Sequence, residues 1–272
     1  MFNQMMLQRY MPGDRALQVL NDNGLYFRRV DGYPEDLTEG DREHFGRNEL
    51  LIVESLNAKV AEPLRMSVEE ARTLAFEMMN KDKKDLFIQS WFWDTKMSRF
   101  MWDSYAGFSN SPDCALFVMN RFSIGSYFDQ VLPAGFRFEP VKYVEDKMQH
   151  KDAFFTKGAD FHPESEYRIS IDVRELAFYN PKILPEYGWI SRRAAHSTEM
   201  QAEDFRTHRV ANEDLFRCVD EFGFILSVPL STLLEAVLIP TQASPEFAEM
   251  FNEQLARMGC KFTCQRVDVP EQ

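Results

Sequence analysis

Glu164-Ser165-Glu166-Tyr167-Arg168-Ile169-Ser170-Ile171-Asp172-Val173 is the stretch on which the fold turns. Tyr167, Ile169, Ile171 and Val173 alternate strictly with polar residues, which is the period of a strand with one buried face. Glu164, Glu166, Arg168 and Ser170 then share the other face. Two carboxylates two residues apart on a strand stand roughly 6.5–7 Å apart at the backbone. That spacing lets one hold a substrate hydroxyl while the other handles a nucleophile. The plainer reading is an exposed sheet face carrying salt-bridged charges.

Working outward, other strands read clearly. They are Leu25 to Val30, Leu86 to Trp91, Ala115 to Met119, Phe222 to Val228 and Ala236 to Ile239, with a last one from Lys261 to Val269. Phe136, Phe138, Val141 and Tyr143 predict one or two more, broken near Pro140. Asn21-Asp22-Asn23-Gly24 predicts a turn. Residues 41–62 carry a rough helical stripe, and Ser67-Val68-Glu69-Glu70 is a capping-box pattern opening a helix to about Met79. Met97, Met101 and Tyr105 repeat at helical spacing beside Trp102, a stripe read as core. Ser244-Pro245 starts a helix that turns Phe247, Met250, Phe251 and Met258 inward and ends at Gly259. Residues 145–163 read as a polar loop with Lys157-Gly158 among its breakers. Residues 175–215, irregular and Pro-interrupted, read as an insertion or a long functional loop. Helices and strands mix without regular βαβ alternation, so the class is α+β, and 1–272 is taken as one catalytic domain.

The composition narrows the function. The net charge of −12 disfavours a passive nucleic-acid coat. Local basic groups at Lys81, Lys83 and Lys84 or at Arg192 and Arg193 leave room for nucleic-acid contact. Hydrophobic residues at 44% and aromatics at 14% suit a packed globule. Cys114, Cys218, Cys260 and Cys264 read as reduced thiols, and no second Cys/His pair completes a zinc site. No signal peptide and no membrane-spanning run is legible, so the cytoplasm is the expected compartment. Phosphate-binding glycine loops and a Gly-x-Ser-x-Gly elbow are absent. None of His44, His150, His162, His196 and His208 forms a His-x-x-x-His pair.

Two further features complete the candidate site. Arg28 and Arg29 end a strand that starts with aromatics, and a guanidinium fork there suits a phosphate or pyrophosphate. Ser90 interrupts an apolar strand between Gln89 and Trp91, where a hydroxyl needs a partner.

An ordered set of segments resembles a bacterial family known only as domain of unknown function 2971. The set runs Leu25-Tyr26-Phe27 with Asp36 and Glu39-Gly40, then Gln89-Ser90-Trp91, then Met101-Trp102 with Tyr105-Ala106. It continues through Val141-Lys142-Tyr143, Phe155-Thr156-Lys157, Glu164 with Glu166-Tyr167-Arg168-Ile169, and Ile239-Pro240, over about residues 24–260. The same order also resembles ADP-ribosyltransferases of the Arg-Ser-Glu type. Arg28 or Arg29, Ser90 and Glu164-x-Glu166 take the three places, although Gln89-Ser90-Trp91 stands where Ser-Thr-Ser is usual. The resemblance implies a split β-sheet core with flanking helices and NAD as co-substrate. It implies that Arg28 or Arg29 holds the phosphates, Ser90 the ribose, and Tyr26 or Tyr33 the nicotinamide. Glu166 would stabilise the positive charge that develops as nicotinamide leaves, and Glu164 would act on the acceptor. The acceptor would be a protein, RNA or DNA, and a toxin of this kind would have a neutralising antitoxin partner. Two other readings stand beside it. One is a non-enzymatic defence or regulatory module that binds a partner through 175–215. The other is a metal-dependent nuclease using Asp36, Glu39, Glu164 and Glu166.

Overall fold

The computed structural model describes residues 5–32, 86–131, 136–145, 153–172, 216–220 and 222–271, with separate residues between 54 and 73. The helix expected over 41–62, the acidic pair Asp36 and Glu39, the basic groups at 81–84 and 192–193, and the whole of 175–215 lie essentially outside those residues.

The architecture is α+β, built on a mostly antiparallel sheet. In chain order the strands are β1 (Met6–Pro12), β2 (Gly24–Arg29), β3 (Leu86–Phe92), β4 (Cys114–Asn120), β5 (Phe136–Pro140), β6 (Lys142–Val144), β7 (Thr156–Gly158), β8 (Glu166–Asp172), β9 (Phe216–Asp220), β10 (Gly223–Ser227), β11 (Leu234–Pro240) and β12 (Gln265–Val267). The helices are α1 (Gly13–Asp22), α2 (Arg99–Ser104), α3 (Arg121–Val131), α4 (Leu230–Leu233) and α5 (Pro245–Arg257). The main sheet runs β12-β11-β4-β1-β3-β2-β10-β9, with β8 and then β5 added on the far edge of β3. Only β11 and β12 pair in parallel within it, and β6 and β7 form a separate parallel ribbon.

The sheet forks at β3. One edge of this strand pairs with β8 along its whole length, from Leu86↔Asp172 to Phe92↔Glu166. The other edge is shared. β2 takes its start, through Arg28↔Ile88 and Arg29↔Phe87, and β1 takes its end, through Gln8↔Phe92 alone. Neither strand supplies a register partner for Gln89, Ser90 or Trp91. Gln89, buried on the core side, spans the gap instead: its amide donates to the Tyr26 carbonyl at 3.3 Å and accepts from Trp91 Nε1 at 3.0 Å.

One sheet face carries the main core. Phe27, Phe87, Trp91, Phe117, Ile169, Ile171 and Phe224 meet Ala16, Leu20, Ile124, Phe128, Phe251 and Leu255 from α1, α3 and α5. A smaller core lies on the opposite face, where Tyr10, Phe92, Leu116 and Val118 pack against Met101 and Trp102 of α2. The helix ends obey local chemistry. Ser98 Oγ accepts from Met101 N at 3.3 Å, Asn120 Oδ1 from Phe122 N at 2.9 Å, and Ser244 Oγ from Phe247 N at 3.2 Å. The capping box is also present, Ser67 N to Glu70 Oε2 at 2.6 Å and Glu70 N to Ser67 Oγ at 3.2 Å.

Several sequence expectations change. β1, α1, α3 and β9 go unread in the sequence. β1 is buried on both faces, so it shows no alternation, and its Gln8 is 0% exposed. That amide is satisfied by the carbonyls of Asp94 and Lys96 and by the Tyr10 hydroxyl. Lys157-Gly158 is part of strand β7 rather than a breaker. α2 is only one and a half turns long, so Tyr105 falls at its C-cap and is exposed. Met250 points outward, while Leu255 takes the inner position on α5. The last strand is three residues long, because the chain leaves β11 after Val267.

Gly13 marks a close crossing between the start of α1 and α5. A Cβ there would lie 2.5 Å from both the Asp113 carbonyl oxygen and the Phe247 ring. The carbonyl belongs to backbone that Gly13 N itself holds at 3.1 Å, so it cannot yield freely. Gly13→Ala is expected to lower stability by about 1–3 kcal/mol, read as a lower urea midpoint at unchanged m-value.

Candidate functional site

β8 begins at Glu166, not at Glu164. Ser165 adopts a left-handed backbone, φ 39°, after a 3-10 segment that contains Pro163. Glu164 therefore leaves the strand, and the same-face argument fails for it. The turn is pinned by Trp93 N to Ser165 O at 2.7 Å and by Ser165 Oγ to Trp93 O at 2.8 Å.

The two carboxylates still meet, through a lysine. Lys157 Nζ lies 2.7 Å from Glu164 Oε2 and 2.9 Å from Glu166 Oε2. Its ammonium also sits 5.2 Å from the centre of the Phe161 ring. Glu166 Oε1 accepts from Arg168 Nε at 2.6 Å and from the Ser90 hydroxyl. Its backbone is held too, with its N–H on the Tyr143 hydroxyl at 2.6 Å and its carbonyl on Val141 N at 2.9 Å. Arg168 is fully buried and also donates to the Phe154 carbonyl. Glu164 Oε1 accepts from the Tyr105 hydroxyl at 2.6 Å. The expected exposed salt-bridge face is thus a buried cluster, roofed by β7 and the 3-10 segments beside it. Glu166 is 4% exposed and Arg168 0%.

Charge balance makes this burial tolerable, since two carboxylates face two cations. Burial pushes the Glu166 carboxylate up. The Arg168 guanidinium, the Lys157 ammonium and hydrogen bonds from Arg168 and Ser90 outweigh that and hold its pKa at about 2, against an ordinary 4.5. Glu166 is therefore an anion throughout the physiological range and a poor proton acceptor. Tyr105 and Tyr143 shift the other way. Burial raises both, and the neighbouring carboxylates add to it, so both phenols stay protonated.

Ser90 is where the cluster meets solvent. Six of the seven residues of β3 are buried and Ser90 alone is exposed. It opposes Arg168 in register, so it stands on the same face as Glu166, at the point where β1 and β2 part. The expectation of a serine inside a buried strand is corrected accordingly: the strand is buried and the serine is not.

Strand register separates the two arginines. Arg28 opposes Ile88 and shares the face of Ser90, one strand away, and of Glu166, two strands away. Arg29 opposes Phe87 on the other face, and its guanidinium lies 5.1 Å from the centre of the Phe222 ring. Arg28 is thus the one on the candidate site's face of the sheet, with its Nε beside the turn at Gly32. Tyr26 is half-buried, and a Cβ at Gly223 would run into its ring, so glycine lets that ring lie close over β10. Tyr33 lies outside the described residues. Lys157 and Tyr105 are the residues that sequence reasoning missed. Tyr105 was legible as a polar-tipped ring ending a short stripe, whereas Lys157 carried no local signal.

Cys114 is buried, and Cys260 and Cys264 are half-buried and free. Among the described residues, no group of three or more His, Cys, Asp and Glu is placed to hold a metal ion, and no helix is long and apolar enough to cross a membrane. The chain matches no family model, no curated protein and no solved structure.

The sign of the pH effect follows from the lowered pKa of Glu166. Its stabilising contribution is complete above the unfolded value near 4.5 and is lost as pH falls towards 2. The urea midpoint is expected to drop across that window, and less steeply in Glu166→Gln. Arg168→Met leaves the carboxylate buried with one partner fewer, at a cost of about 3–5 kcal/mol in the same assay at pH 7.

Proposed function

We propose that this chain is an NAD-dependent ADP-ribosyltransferase acting on a macromolecule in the cytoplasm. One observation carries the reading. The single exposed residue of the central strand is a serine, it lies in the fork of the sheet, and its hydroxyl is bonded to an ionised, buried glutamate. The donor set suits a dinucleotide: a guanidinium at Arg28, a hydroxyl at Ser90, a close-lying ring at Tyr26, and an anion at Glu166. Bound NAD supplies the ADP-ribosyl group, with nicotinamide as its leaving group. Arg28 holds phosphate oxygens through its donor fork. Ser90, its proton committed to Glu166, turns its lone pairs towards a ribose hydroxyl. Glu166 is fixed by five bonds to backbone and side chains, so its charge meets a developing cation without reorganising.

A nuclease reading finds less support, because Lys157 occupies the space between Glu164 and Glu166 that a divalent ion would need. An interaction module keeps one observation on its side: both Glu166 oxygens already have protein partners, as in a cluster that only holds the roof to the sheet. A toxin role, with a neutralising antitoxin protein, follows from the transferase reading as an extension of it.

Ser90→Ala separates these readings, since it removes the hydroxyl of the site's exposed residue while Arg168 and Lys157 still hold the carboxylate. It is expected to cut labelling of cell-lysate macromolecules from labelled NAD by roughly 100-fold, and, with one hydrogen bond to a buried charge lost, to lower stability by about 1.5–3 kcal/mol while the protein stays folded in the assay. NAD is expected to raise the melting temperature of the wild type. Full labelling by Ser90→Ala would remove the serine from the site, and a wild type indifferent to NAD would favour the interaction module. Expression of the chain alone is expected to arrest bacterial growth, and Ser90→Ala to relieve the arrest; unimpaired growth with soluble wild type would count against a toxin.

A further inference from the structure

We propose that Tyr105 is the group that meets the acceptor, passing the acceptor's proton to Glu164, so that Glu164 acts through the tyrosine and not by direct contact. This rests on the transferase reading and changes one part of it. Glu164 has both oxygens engaged, Oε1 by the Tyr105 hydroxyl at 2.6 Å and Oε2 by Lys157 at 2.7 Å, and its side chain is only 13% exposed. Tyr105, by contrast, is 44% exposed at the C-cap of α2. A continuous chain of bonds runs from that phenol through Glu164, Lys157 and Glu166 to Ser90, and its two ends are the exposed residues. One end lies in the sheet fork and suits the sugar. The other lies at the helix end and suits the incoming nucleophile.

The step balances. The acceptor's X–H proton moves to Tyr105 Oη as the proton of that oxygen moves to Glu164 Oε1. The X–C bond to the ribose forms as the C–N bond to nicotinamide breaks, and nicotinamide leaves neutral with the electron pair. The positive charge of the pyridinium and the negative charge of Glu164 are consumed together. The raised pKa of Tyr105, from burial and from the Glu164 carboxylate, keeps the phenol protonated and so available as a relay. Lys157 fixes the carboxylate that receives the proton, and so acts as a positioning residue.

The test compares Tyr105→Phe, Glu164→Gln and the double variant with the wild type, using labelled NAD and bacterial lysate. Tyr105→Phe keeps the ring and removes only the hydroxyl. It is expected to lower kcat for labelling roughly 100-fold. KM for NAD is expected to stay within about twofold, because the relay acts after NAD is bound. Glu164→Gln is expected to show the same loss, and the double variant no further loss, since the two residues work as one unit. Wild-type kcat in Tyr105→Phe, a rise in KM alone, or losses that multiply in the double variant would each overturn the relay while leaving the transferase standing. A wild-type protein that labels no macromolecule would overturn the transferase reading and the relay with it.

Discussion

The buried carboxylate of Glu166 is the constraint around which the rest of the site is arranged. An anion removed from water must be met by charge and by hydrogen bonds, or it destabilises the fold by several kcal/mol. Here the partners come from four different pieces of chain: Ser90 on β3, Lys157 on β7, Arg168 on β8, and Tyr143 on β6 through the backbone. Satisfying one side chain therefore fixes the roof to the sheet. The same contacts that neutralise Glu166 also aim it, since among its direct partners Ser90 is the exposed residue.

The fork in the sheet is the second constraint, and it explains why the opening is at Ser90. A central strand normally exchanges hydrogen bonds along both edges. β3 does so along the β8 edge but shares the other between β2 and β1, which diverge. Gln89 closes the gap from the core side, where Tyr26 and Trp91 take its amide. On the other face, among the described residues, no side chain is placed to do the same, and a serine stands there. At the fork itself the geometry thus separates an apolar side, under the main core, from a polar side on which the chemistry is proposed to occur.

How much of this was legible depended on whether a residue's role was set locally. The alternation in β8, the apolar runs of β3 and β4, and Ser244-Pro245 at the start of α5 announce themselves because one face or one cap decides them. β1 gave no such signal, for it is a doubly covered strand, and the amide of its Gln8 is satisfied by chain some 86 residues away. Glu164 was misplaced because a period-2 argument assumes extended backbone, and the left-handed turn at Ser165 breaks it. Lys157 was unreadable for a different reason: its partners become neighbours only once β7 is laid against β8. Register alone distinguished Arg28 from Arg29.

The two parts of the site differ in how firmly they are held. Ser90 belongs to a strand hydrogen-bonded along one full edge and packed under the main core. Lys157 belongs to a ribbon of two three-residue strands, β6 and β7, which among the described residues pairs with no other strand. Amide protons in β3 should exchange with solvent only when the whole molecule unfolds, whereas those in the ribbon can exchange through local opening. Lifting the roof would strip Lys157 from Glu166 and leave Arg168 and Ser90 in place, turning a neutral cluster into one whose charge depends on a ribbon six residues in size.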